Sequence, residues 1–137
     1  MNARDISGAP RDISRDRVVT IDYRGMQREV IDLGSDHWWA WLVETEGDDS
    51  EPVGYTGHGW FKFVARLEDG EDPFGGYDFH LHEGDLCFGY VSWRPYSAMK
   101  ASGHTLLSAS PLTISPSLAC RGCPSHGFIR DGLWVDA

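Results

Sequence analysis

The segment His37-Trp38-Trp39-Ala40-Trp41-Leu42-Val43-Glu44 constrains the fold more than any other stretch of this chain. Side chains alternate between the two faces of a strand, so this run carries large apolar groups on both. Such a strand must be covered on both sides. In a chain of 137 residues there is length for one core and not comfortably for two. The run is therefore expected at the centre of a single domain.

The neighbouring segments read as shorter strands joined by tight turns. Residues 18–33, VVTIDYRGMQREVIDL, form an expected hairpin turning at Arg24-Gly25. In 77–93, YDFHLHEGDLCFGYVSW, the turn falls at Glu83-Gly84-Asp85, and in GFIRDGLWV it falls at Asp131-Gly132. The segments GWFKFVARLE and LTISPSLACR supply further strands, and 95–104 holds one short helical turn at most. EGDDSEP and LEDGEDPFGG read as acidic loops. About nine short strands with Gly-rich turns predict an all-β fold, mainly antiparallel, built as a sandwich, barrel or rolled sheet. The first sixteen residues nearly repeat themselves, as Arg4-Asp5-Ile6-Ser7 and Arg11-Asp12-Ile13-Ser14 around Gly8 and Pro10. They read as a mobile arm, with the domain running over 17–137.

Charge narrows the partners. Twelve basic residues face 21 acidic ones, a net charge of −9. Such a surface repels phosphate backbones, so direct nucleic-acid binding is not expected. It favours solubility and suits a basic protein partner. No apolar run reaches the roughly 18 residues of a membrane span, and the N-terminus is too polar for a signal peptide. A cytoplasmic setting follows, and an odd cysteine count (Cys87, Cys120, Cys123) fits it better than a disulfide framework does.

Two of those cysteines form a C-x-x-C, Cys120 to Cys123, with His126 three residues on. A tight turn between strands lets both thiolates converge on one metal at about 2.3 Å, and the returning strand can add the imidazole of His126. A closed structural zinc site needs a fourth ligand. His104 is the first choice, with Cys87, His80 and His82 as alternatives. The reading is a zinc-knuckle-like C-terminal hairpin. A thioredoxin-like redox pair is disfavoured, because the sequence after Cys123 reads as strand and turn and not as the helix that would lower a thiol pKa.

A second constellation is DFHLHEGD. His80 and His82 point to one side of a strand together with Asp78, a geometry found in cupin-type metal sites. The plainer expectation is that these residues form a solvated polar face. Nucleophile elbows, phosphate-binding glycine loops and H-E-x-x-H helices are absent from the sequence. The six tryptophans are expected in the core.

PLTISPSLACRGCPSHGFIRDGLWV resembles the C-terminal signature of a family of small domains found in phage genomes and beside bacterial ubiquitin-like conjugation operons. The corresponding elements are His37-Trp38-Trp39, Pro111 through Leu118, Cys123 with His126, and Phe128 through Gly132. The likeness is specific over about 25 residues. It implies a β-rich domain with a metal site and no established activity. Family members often carry a C-P-x-C pair after the tryptophans, where this chain reads AWLVETEG, and a further Cys and His beyond the DG turn. The expected function is that of a phage-type accessory protein acting by protein binding, an inhibitor of a bacterial defence system being one version. A small metalloenzyme centred on His80 and His82 is the competing class, and a minor virion component a third.

Overall fold

A computed structural model describes residues 17–45, 51–52, 60–96 and 100–137. The arm expected over residues 1–16 and most of the EGDDSEP loop lie outside the described residues. Eleven strands are described, all paired antiparallel, with no helix among the described residues. No helix is long and apolar enough to cross a membrane.

The strands form two sheets. β3 (His37–Glu44) is the axis of the larger one. Along one edge it pairs over its whole length with β6 (Pro73–His82), which pairs in turn with β7 (Asp85–Ser92). Its other edge is shared. The first half pairs with β2 (Met26–Gly34) and the second with β5 (Trp60–Val64). β1 (Val18–Tyr23) extends β2, and the two-residue β4 (Glu51–Pro52) extends β5. The smaller sheet is a meander of β8 (Thr105–Ala109), β9 (Leu112–Ala119), β10 (His126–Arg130) and β11 (Leu133–Asp136).

Burial follows the strand alternation. Trp39 and Trp41 face the smaller sheet, where they join Ile31, Leu33 and Val91 against Ile114, Leu118, Ile129 and Trp134. Ala40 and Leu42, from the same strand, face the opposite way into aromatic clusters around Phe79, Phe61 and Phe74. Coverage of β3 on both faces is thus met by two different means. One face is capped by the second sheet, and the other by the curl of the large sheet itself. The curl brings Tyr23 of β1 to 5.7 Å from Phe88 of β7, although the two strands belong to opposite ends of the sheet.

The three expected hairpin turns are present, each with two successive residues at positive φ. These are Arg24 and Gly25 at 55° and 79°, Glu83 and Gly84 at 53° and 84°, and Asp131 and Gly132 at 52° and 79°. That backbone matches the twist of the flanking strands. β8 was not expected, because TLLSA is short and alternates only weakly between half-buried and exposed positions.

The loop between β5 and β6 is less free than its acidity suggests. Glu71 accepts from Lys62 at 2.7 Å and from the Glu68 amide at 2.8 Å. The hydrogen bond from Lys62, then that from the Glu68 backbone, hold its carboxyl below the ordinary glutamate range. A depressed pKa stabilises the fold above the unfolded-state value and ceases to do so as pH falls through the folded-state value. Glu71→Gln should therefore cost roughly 0.5 kcal/mol at pH 7, the scale of a partly exposed pair. The difference from wild type should vanish below about pH 3, which urea melts across the range would check.

Candidate metal centre

Where the two sheets face each other near one end, β6, β7 and the turn after β9 converge. His80 lies in β6 with 1% of its surface exposed. Its Nε2 is 3.2 Å from Cys123 Sγ. The candidate ligand atoms of His80, Cys120 and Cys123 all lie within 4.8 Å of one another. The turn carrying both cysteines is closed by the Cys120 amide, which donates to the Ser125 carbonyl at 3.0 Å.

The other side of the imidazole is equally defined. His80 Nδ1 is 3.1 Å from the Asp78 carbonyl oxygen and 3.3 Å from Asp78 Oδ2. With the Nδ1 proton donated there, loss of the Nε2 proton to a metal would direct the Nε2 lone pair toward the sulfurs. Asp78 is held in turn: its Oδ1 is 2.9 Å from His37 Nδ1. The His37 ring stacks on Trp134 at 3.7 Å with 9° between planes. A continuous series of contacts therefore runs from the core of the small sheet through His37, Asp78 and His80 to the cysteines. It is the carboxylate–histidine arrangement that fixes a metal-binding imidazole in tautomer and orientation. His37, Asp78 and His80 themselves form a second compact group of metal-ligating type.

Cys87 belongs to the same neighbourhood. It lies directly opposite His80 in the β6–β7 ladder, so the two side chains share the inner face. Burial, then the hydrogen-bonded sulfur of Cys123, and then Cys120 push its thiol upward. At His80 burial alone would favour the neutral ring. The hydrogen bond and charge of Asp78, followed by Cys120, outweigh it and push the imidazole up to about 9. Cys87 is thus in hydrogen-bonding reach of Cys123, while the compact metal-ligating group itself comprises His80, Cys120 and Cys123.

The histidines expected beside the C-x-x-C are placed elsewhere. His126 opens β10 opposite Ala119, while the next pair, Gly127 and Leu118, faces inward. Alternation therefore turns His126 to the exterior, where its Nε2 is 3.1 Å from Ser117 Oγ. His104 has both ring nitrogens engaged, Nδ1 with Ser102 Oγ at 2.7 Å and Nε2 with the Ser117 carbonyl at 3.1 Å. Neither belongs to a metal-ligating group among the described residues. His82 lies at the mouth of its hairpin, 3.8 Å from Glu83.

The expected solvated face of DFHLH is overturned. Asp78 and His80 are 3% and 1% exposed, and it is Leu81, on the other face, that reaches 46%. The polar face is buried because its members satisfy one another beneath the small sheet. The redox reading also lacks its structural basis, since β10 and no helix follows Cys123.

Two pairings were missed: His37 with Asp78, and Cys87 with His80. A signal for the second was present. Counting outward from the Glu83-Gly84 turn places Cys87 opposite His80. Compared with known proteins, the chain matches no family model, no curated protein and no solved structure.

Proposed function

We propose that this chain is a binding protein whose β9–β10 turn is fixed to the large sheet by a structural zinc ion, held by His80, Cys87, Cys120 and Cys123. The observation that carries this reading is the His80 imidazole, gripped at Nδ1 by Asp78 and directed at Nε2 to Cys123 Sγ. Three thiolates and one imidazole are a soft, tetrahedral set of the kind zinc takes. With Cys87 as fourth ligand the centre is closed, leaving no position for a reactive water. That argues for a staple and against a hydrolytic centre.

A closed centre leaves function to the surface. The net charge of −9 works against phosphate backbones and suits a basic protein partner. This fits an accessory protein of the phage type, for which occupying the basic groove of a host defence protein is a consistent mode of action. Capture of such a partner from host lysate should weaken steeply as salt is raised.

The staple is tested through the residue behind the ligand. Asp78→Asn keeps shape and hydrogen-bonding capacity but removes the charge that orients His80. It should leave the protein folded and weaken zinc binding by about 10- to 100-fold. Competition against a chromophoric chelator would read this. Unchanged affinity would show that His80 is not a ligand.

A further inference from the structure

A cleft of about 700 Å³ opens beside the candidate metal centre, between β7 and the β9–β10 turn. Its size is that of a small-molecule site. Val91, Leu118 and Trp134 form an apolar floor, each no more than 5% exposed. The rim carries Lys100 and Arg121, both exposed and without an ion-pair partner among the described residues. His104, Ser102 and Ser125 also line the cleft. Asp78 is the one acidic residue of the lining, and its carboxylate is taken up by His37 and His80. In a chain of net charge −9, Lys100 and Arg121 are the exposed charges of this recess, whose lining also includes His80 and Cys120 of the candidate metal centre.

A second observation comes from the strand glycines. At Gly76 a Cβ would collide with the Trp39 ring, and at Gly127 with Trp134 and the Val135 carbonyl, so tight packing accounts for both. Gly89 differs. It lies in the middle of β7, opposite Asp78 and hence on the inner face, and nothing among the described residues lies within 4 Å of where its Cβ would be. A glycine there weakens the strand without relieving any clash. Its consequence is the open volume of the cleft.

From the apolar floor, the two exposed cations of the lining and the unfilled position at Gly89, we infer that the cleft binds a small organic anion. An apolar body lies over Gly89 and Trp134, and a carboxylate or phosphate faces Lys100 and Arg121. The inference goes beyond the zinc-stapled binding protein and rests on it in one respect, since the staple sets where Arg121 stands.

Three naphthalene probes sharing one ring distinguish the headgroups: 1-naphthoate, 1-naphthyl phosphate and the neutral 1-naphthalenemethanol. Fluorescence titration of the full chain should show saturable 1:1 binding of at least one anion, about tenfold or more tighter than the neutral probe. The stronger of the two anions identifies the headgroup. Gly89→Leu fills the recess, and Lys100→Gln with Arg121→Gln removes its charge. Each should weaken anion binding about tenfold or more. The charge variant should bind the neutral probe as wild type does. Zinc content and unfolding midpoint are measured for every protein, so that loss of the staple is told apart from loss of the cleft. Absence of saturable binding to zinc-loaded wild type, equal affinity for all three probes, or anion affinity unchanged in both folded variants would overturn the proposal.

Discussion

Replacing Cys123 with serine is expected to release the metal and to lower the melting temperature by at least ~10 °C, because metal affinity at such a site is folding free energy. Cys123 Sγ lies 3.2 Å from His80 Nε2. Its loss would leave two half-buried thiols beside the buried His80 imidazole with no ion to bridge them. The turn joining β9 and β10 is the segment that should loosen. Cys120→Ser and Cys87→Ser should behave alike, whereas His126→Ala, outside the cluster, should leave zinc bound. Differential scanning calorimetry with parallel elemental analysis checks all four. A Cys123→Ser protein that melts with the wild type would mean that the two sheets hold together without help from this corner.

Trp39→Ala should destabilise the protein by about 3–5 kcal/mol, the cost of removing a large ring from a closed core. Trp39 is fully buried between the sheets, and its ring covers Gly76 on the neighbouring strand. Trp39→Phe should cost no more than about 1.5 kcal/mol. Among the described residues the indole Nε1 has no hydrogen-bond partner, so phenylalanine removes an unsatisfied buried donor along with some volume. Relief of the first offsets part of the second. Chemical denaturation of the two variants would separate these contributions. A phenylalanine variant as damaged as the alanine one would show that the indole nitrogen has a partner after all.

The fold was readable where local chemistry dictates it. Arg24-Gly25, Glu83-Gly84 and Asp131-Gly132 require left-handed backbone, and HWWAWLVE requires cover on both faces. Neither depends on knowing the rest of the chain. TLLSA did not announce itself as a strand, because its pairing with β9 is decided by the meander and not by its own pattern.

The centre was readable in part, for an equally local reason. A C-x-x-C brings its own two thiols together whatever the fold, but His80, grouped with them, comes from across the sheet interface. His126 is near in sequence and turned outward by a single residue of alternation. His80 is 43 residues from Cys123 and in contact with it. Proximity along the chain favoured His126 over the histidine that lies beside the sulfurs. The register of the β6–β7 hairpin, with its turn already located, could have favoured Cys87 and His80 as a pair.

Zinc K-edge absorption spectroscopy on protein purified without a metal-binding tag tests the staple most directly. The predicted result is one zinc per chain, with three sulfur neighbours at about 2.3 Å and one nitrogen at about 2.0–2.1 Å. A wild-type protein that is folded, stable and free of zinc would contradict the account, as would a shell containing fewer than three sulfurs.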